Sequence, residues 1–181
     1  MTFYICHFTF FRPRRICLGH EIFTFMIILG LDPGYATVGY GVIKKEGGKI
    51  SAVAFGVIKT GAKTAFPKRL VEIAEDINEI IKKYKPELAA IEKLFFFKNQ
   101  KTAIDVGQAR GAIVLKAAEH HLPIQEFTPL EVKQSVTGYG RADKRQMQEM
   151  VKVLLDLKSI PKPDDAADAL AIAYAGAVFG R

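Results

Sequence analysis

Residues 27–31 form an unbroken run of isoleucine, leucine and glycine that ends at Asp32-Pro33-Gly34. Such a run predicts a strand that is buried on both faces and is stopped by a turn. A strand of this kind needs a covering layer on each face, so it constrains the fold more than any other feature. The whole chain of 181 residues is 49% apolar and 25% charged, the composition of a globular domain rather than of a disordered protein.

The order of the remaining predicted elements defines the fold class. Two further strands follow directly and form a meander with the first, and strands then alternate with helices. The predicted strands lie at 27–31, 38–45, 50–60, 87–94 and 123–127, and the predicted helices at 67–84, 99–121, 128–137, 143–157 and 165–179. Three antiparallel strands followed by strand–helix units predict an α/β fold with a mixed five-stranded sheet and flanking helices. A right-handed crossover makes the fourth strand a parallel neighbour of the first.

Residues 1–25 differ in composition from the rest of the chain. They contain both cysteines and many of the phenylalanines, but no Asp, Lys, Gln, Asn, Ala or Val. Arginines interrupt the apolar stretch, which argues against a secretory signal or a membrane span. We expect these residues to be an extension outside the fold, as a start codon assigned too early would produce, with a single domain at 26–181. A membrane-surface anchor is the alternative.

Acidic residues stand at the ends of the two strands expected to be parallel neighbours. Asp32 ends the first strand, and Glu92 lies near the end of the fourth. Since the carboxyl ends of parallel strands meet at one edge of the sheet, we expect both carboxylates at that edge. Asp165 and Asp168 are three residues apart at the start of an Ala-rich helix and share one face. Two acids at the buried end of an apolar helix are costly unless a cation compensates them.

Four carboxylates without His or Cys predict an all-oxygen metal site, which favours Mg²⁺ or Mn²⁺ over zinc. Two such ions can stabilise the attacking and the leaving oxygen of a phosphodiester. Each acid also has a structural interpretation, as a turn residue (Asp32), a helix cap (Asp164 and Asp165) or a partner of a surface lysine (Glu92). The shared position of the acids at one edge favours the metal site.

Four segments, in this order, resemble the RuvC-type Holliday junction resolvases: LGLDPGYATVGYGVI, AIEKLFFFKN, DVGQARGAI and DAADALAIA. The likeness extends from residue 26 to about residue 178. It implies an RNase H-like fold, which agrees with the predicted strand order, and a metal-dependent enzyme that cuts two opposed strands of a four-way DNA junction. It assigns catalysis and metal binding to four carboxylates: Asp32, Glu92, Asp165 and Asp168.

The resemblance also implies the cofactor and the partners of the enzyme. Two Mg²⁺ per subunit, replaceable by Mn²⁺, would activate a water and stabilise the leaving oxygen, which gives 5′-phosphate and 3′-hydroxyl ends. The implied assembly is a cytoplasmic homodimer that works with a branch-migration helicase complex of the RuvA and RuvB type. Ala103, Gly107 and Gly111 lie four apart on the long helix, and we expect them in the dimer interface.

DNA contacts are implied for Phe95, Lys133 and Lys144. The ring of Phe95 directly follows the acidic strand end, where it would stack on an unpaired base at the junction centre. The two lysines flank the loop Gly138–Gly140 and would contact phosphates. Their structural alternatives are a core position for the aromatic ring and solvated helix faces for the lysines.

The net charge and the number of phosphate-binding motifs help to choose between the alternative functions. The net charge of +7 favours an anionic partner such as nucleic acid. The nearest alternative is another nuclease of the same fold, a ribonuclease H or an exonuclease. An actin-like ATPase or sugar kinase would need a second phosphate-binding hairpin. A purely binding protein would not cleave DNA in the presence of a metal.

Overall fold

The computed structural model describes residues 14–18, 21–34, 36–93 and 100–180. Among these residues six strands form one sheet: β1 Arg14–Leu18, β2 Glu21–Asp32, β3 Thr37–Glu46, β4 Lys49–Lys59, β5 Leu88–Glu92 and β6 Ile124–Phe127. Five strands follow the order β4-β3-β2-β5-β6, and β1 pairs with β2. The β2–β3 and β3–β4 pairs are antiparallel, whereas β2–β5 and β5–β6 are parallel. The sheet is therefore mixed, as predicted.

Helices of the described residues cover both faces of the sheet: α1 Phe66–Tyr84, α2 Gln100–Glu119, α3 Pro129–Thr137, α4 Lys144–Leu154 and α5 Asp164–Phe179. One apolar core joins α1 and α2 to the first face, and a second core joins α3, α4 and α5 to the other. No helix in this part of the chain is long and apolar enough to cross a membrane. The predicted α/β fold with flanking helices is confirmed.

Strand β2 lies at the centre of the sheet because both of its faces are apolar. Ile28 belongs to the core under α5, whereas Leu29 and Leu31 belong to the core under α1 and α2, and none of the three is exposed. Strand β5 pairs with β2 in parallel register, up to the pair of Leu31 with Ile91. The predicted parallel neighbours are therefore confirmed.

Glycines of the sheet allow α5 to lie directly on the strands. A Cβ atom at Gly30 would be only 2.2 Å from the carbonyl oxygen of Ala169, and one at Gly39 would be 2.1 Å from that of Asp165. A Cβ at Gly41 would also meet the α5 backbone. Because no side chain fits at these positions, the glycines determine how closely the Ala-rich helix approaches the sheet.

The segment 14–25 differs from the expectation that it lies outside the fold. Strand β1 pairs antiparallel with the first five residues of β2. The hairpin extends past β3, whose last pair with β2 is Phe25 with Glu46, and Arg14 Nε lies 3.4 Å from Glu87 Oε1. Aromatic and β-branched residues at the start of β2 favour this strand. The rest of the predicted extension lies outside the described residues.

Candidate active site

Asp32 and Glu92 are the last residues of two neighbouring parallel strands. They directly follow Leu31 and Ile91, which pair across β2 and β5. The structure therefore places both carboxylates at the same edge of the sheet, the edge where open α/β folds bind ligands. Both residues are partly buried.

Helix α5 brings two further carboxylates to this edge. Its first turn lies over β3, where Gly39 pairs with Asp32 across the sheet and faces the backbone of Asp165. Asp168 follows one turn later on the helix. The charges of both α5 carboxylates raise the pKa of Asp32, so the acids are close enough to interact. The glycine at 39 is therefore the residue that lets the α5 acids approach the acid of β2.

A cleft of about 240 Å³ opens at this edge of the sheet. Its charged lining consists of three carboxylates and two lysines: Asp32, Glu92, Asp168, Lys133 and Lys144. Asp165 is not part of the lining. Apolar residues of α3, α4 and α5 form the rest of the wall: Pro129, Val132, Met147, Ala171 and Ile172. The cleft therefore brings together most of the charged residues that the sequence singles out.

Burial and mutual repulsion disfavour the ionised carboxylates of the cleft. Burial and, after it, the charges of the neighbouring carboxylates, first of all Glu92, together raise the pKa of Asp32 to about 7. Burial and then the charge of Asp168 raise the pKa of Glu92. Burial also raises the pKa of Asp168, although the ammonium of Lys144 acts in the opposite direction. A bound cation would relieve this shared cost.

The donor set fits a hard divalent cation. All four acids offer carboxylate oxygens, which Mg²⁺ and Mn²⁺ prefer, and burial raises the pKa of three of them, so a bound cation would favour their ionised form. Among the residues that the structure describes, no three Asp, Glu, His or Cys side chains are grouped closely enough to hold an ion. Carboxylates repel one another when no cation lies between them, so binding of a shared metal ion would require these side chains to move closer together.

The ammonium group of Lys144 lies against two acids of α5. Its Nζ is 3.1 Å from Asp164 Oδ2 and 3.6 Å from Asp168 Oδ2. A capping box of Asp143 and Gln146 fixes the start of α4 and thus the backbone of Lys144. These ion pairs were not predicted from the sequence, which indicates Lys144 only as a DNA contact. The acidic doublet at the start of α5 was the available signal.

Lys133 reaches the cleft from α3. A capping box fixes the start of this helix, because the Thr128 hydroxyl accepts from the backbone N–H of Glu131 and the Glu131 carboxylate accepts from the backbone N–H of Thr128. The Lys133 ammonium donates to the carbonyl oxygen of Ala142 at 2.7 Å. An ammonium group has three N–H donors, so this bond leaves donors that can reach a phosphate.

Two expectations have different outcomes. Phe95 lies outside the described residues, so its contact with DNA stays a prediction. The alternative that Asp164 or Asp165 caps α5 is wrong, because Pro163 is the N-cap and no side-chain cap hydrogen bond forms there. Asp164 instead pairs with Lys144 and, at 3.1 Å, with Lys162.

Sequence comparison identifies the family. The sequence model of the family described as crossover junction endodeoxyribonuclease RuvC matches residues 28–175. Proteins of that name from Thermosipho melanesiensis and Petrotoga mobilis are 54% and 51% identical to the chain over 156 residues. This match covers 86% of the chain and 99% and 96% of the two relatives.

Solved structures agree with the sequence match. The structure of Thermus thermophilus RuvC has a TM-score of 0.79 and 34% identity, covering 86% of this chain and 96% of that one. T. thermophilus RuvC in complex with a Holliday junction substrate has a TM-score of 0.82 and 35% identity, covering 86% of this chain and 95% of that one. With its RNase H-like fold and an acidic cleft at the expected edge of the sheet, the chain belongs to the RuvC family of crossover junction endodeoxyribonucleases.

Proposed function

We propose that this chain resolves four-way DNA junctions with a metal centre held by four carboxylates: Asp32, Glu92, Asp165 and Asp168. The observation that carries the proposal is the cleft at the carboxyl ends of β2 and β5, which three of these carboxylates line together with two lysines. Nucleases of the RuvC family are metal-dependent. An excess of negative charge repels DNA until a cation neutralises it, so this arrangement suits metal-dependent hydrolysis of a phosphodiester.

Two Mg²⁺ per subunit, with Mn²⁺ as a substitute, are the proposed cofactor. When bound, these ions supply an activated water and stabilise the leaving oxygen, which gives 5′-phosphate and 3′-hydroxyl ends. We assign Asp32 the central position among the ligands, since the charges of the other three carboxylates all act on it. Glu92 and Asp168 line the cleft beside it, and Asp165 completes the set from the first turn of α5.

Basic residues around the cleft are the proposed DNA contacts. Lys133 and Lys144 lie in its lining, where their ammonium groups can reach phosphates on either side of a scissile bond. Arg141, between these two lysines, and Arg145, which follows Lys144 on α4, are exposed and add positive charge. Stacking of Phe95 on a base is proposed from the family resemblance.

A homodimer is proposed because α2 exposes apolar residues in a row. Ile104 is 69% exposed and Leu115 is 60% exposed, and a Cβ atom added at Gly107 or Gly111 would meet nothing within 4 Å. Small residues allow a helix of a second copy to approach closely, and that contact would bury the exposed apolar side chains. Two clefts related by twofold symmetry would then reach two opposed strands of the junction.

The cellular context is proposed from the family resemblance alone. It comprises recombination and repair in the cytoplasm, with a branch-migration helicase complex of the RuvA and RuvB type as the partner. Pull-down of such a helicase by the purified protein checks this part independently of cleavage.

Nicking of defined DNA substrates tests the proposed function. The substrates are a mobile four-way junction, a linear duplex of the same sequence and an RNA–DNA hybrid, each with and without Mg²⁺. We expect paired nicks in the junction alone, and only with metal. Preferred cleavage of the hybrid or of duplex ends would instead indicate a ribonuclease H or an exonuclease. Junction binding without cleavage in any metal would indicate a binding protein.

A further inference from the structure

The side chain of Lys144 is shared unequally between two carboxylates of α5. Its Nζ is 3.1 Å from Asp164 Oδ2 but 3.6 Å from Asp168 Oδ2. The other oxygen of Asp164, Oδ1, lies 3.1 Å from the ammonium of Lys162. Asp164 therefore holds one lysine on each oxygen, and it is the nearer partner of Lys144.

The two carboxylates differ in position as well as in distance. Asp168 lines the cleft, whereas Asp164 is not part of the lining and lies one turn earlier on the same helix. Residues four apart share a helix face, so one lysine can reach both acids. Because the capping box fixes the backbone of Lys144, a change of partner requires only rotation of its side chain.

An ammonium group on Asp168 opposes metal binding at that carboxylate. The ammonium and a divalent cation both carry positive charge and use the same oxygens, so they compete for Asp168. A carboxylate outside the cleft that attracts the lysine weakens this competition, and it keeps the ammonium at the cleft rim, where a phosphate would arrive.

We propose that Asp164 is a positioning residue that holds Lys144 at the rim of the cleft and so keeps Asp168 available for the metal. The inference rests on the proposed metal site and adds to it a carboxylate that binds no metal itself. The competing interpretation is that Asp164 only adds negative charge near the first turn of α5, which favours the helix and attracts cations at a distance.

A double-mutant cycle separates the two interpretations. Mn²⁺ affinity is measured by calorimetry on DNA-free protein for the wild type, Asp164→Asn, Lys144→Met and the double variant. We expect Asp164→Asn to lower the affinity about two- to fivefold, the size of an exposed ion pair, because Lys144 then turns to Asp168. Lys144→Met should raise the affinity, and in that background Asp164→Asn should have no further effect.

Matched variants complete the test. Asp164→Glu retains the charge and should retain the affinity, whereas Asp76→Asn removes an exposed charge from α1 on the opposite face of the sheet and should change nothing. Thermal melts should show that every variant is folded.

The possible contrary results point to different errors. Equal losses from Asp164→Asn with and without Lys144 would show a direct effect of charge and would overturn the inference alone. An unchanged affinity in Asp164→Asn would overturn it as well. Wild-type protein that binds no Mn²⁺ would overturn the proposed metal site, and the inference with it.

Discussion

The two halves of α5 differ in what they contribute: the second half packs against the sheet, and the first half carries acidic residues at the cleft. From Ala169 to Ala177 the helix is buried except at the partly exposed Tyr174, and it lies on sheet glycines that leave no room for a side chain. Its first turns carry Asp164, Asp165 and Asp168, and burial raises the pKa of Asp168. The apolar half stabilises the domain, whereas the burial of Asp168 in the acidic half has a cost that a bound cation would offset. One rigid helix therefore lets the packed half hold the charged half in place.

Addition of one methyl group should disrupt the apolar half. In Gly30→Ala the new Cβ would be 2.2 Å from the Ala169 carbonyl oxygen and 2.4 Å from the Ala173 nitrogen, so α5 must move away from the sheet. We expect a loss of about 3 kcal/mol in the free energy of unfolding, measured in urea, and a large loss of cleavage because the α5 acids move as well. Gly48→Ala is the matched control, since a Cβ there meets nothing within 4 Å. Equal stability of the two variants would refute the close approach of α5.

Neutralisation of Asp32 on β2 should reveal the cost of gathering carboxylates at the cleft, because burial and then the neighbouring acids, two of them on α5, raise its pKa. Because the pKa of Asp32 rises from 3.8 to about 7 on folding, the folded state binds the extra proton between these values. The free energy of unfolding of the metal-free protein should therefore fall as the pH rises from about 4 to above 7.

Asp32→Asn should remove this dependence on pH. The variant should match the wild type near pH 4 and be more stable at pH 8, by on the order of 1–3 kcal/mol without metal. Urea unfolding in the presence of a chelator, at both pH values, measures this difference in the free energy of unfolding. A variant that is less stable than the wild type at pH 8 would show that the Asp32 carboxylate is not repelled by its neighbours.

Phe95 extends the comparison to a residue outside the described part of the chain. Phe95→Ala should weaken junction cleavage by the loss of a stacked base, about 1–3 kcal/mol, with little effect on melting temperature. Since three consecutive aromatic residues cannot all face one side of a strand or a helix, we expect Phe96→Ala and Phe97→Ala mainly to destabilise, by the about 3–5 kcal/mol that truncation of a buried ring costs. Melts and junction cleavage of all three variants decide this, and a Phe95→Ala variant that unfolds readily would place that ring in the core.

Removal of residues 1–25 should have the smallest effect, because neither half of α5 depends on them. The described part of this segment adds one hairpin, the partly buried ring of Phe25 and the contacts of Arg14, which donates to the carbonyl oxygen of Lys85 and pairs with Glu87. The partly exposed ion pair is worth at most about 1 kcal/mol. Melting temperature and junction cleavage of the shortened chain should stay close to those of the full chain. A large drop in melting temperature would show that the hairpin is part of the domain.

The sequence predicted the elements that depend on local pattern and missed contacts that depend on tertiary structure. The apolar run before Asp32 was enough to predict a central strand, and the parallel crossover put Glu92 at the same edge. The ion pairs of Lys144 form where the first turns of α4 and α5 meet in the fold. These turns are about twenty residues apart in the chain, and the periodicity of the sequence does not reveal that they meet. The β1 hairpin was missed because residues 14–25 show no clear alternation. The acidic doublet suggested a cap, but Pro163 occupies that position.

Cleavage and binding by Asp168→Asn test the central claim most directly. Asn keeps the size of Asp but removes the charge that would hold a divalent cation, whereas the phosphate contacts of Lys133 and Lys144 do not need that charge. Gel shifts without metal and nicking assays in Mg²⁺ are run at one fixed salt concentration, because DNA affinity depends steeply on salt. We expect no nicking, junction affinity that is unchanged or tighter, and no fall in the metal-free melting temperature. Nicking at a rate near that of the wild type would contradict the four-carboxylate metal site.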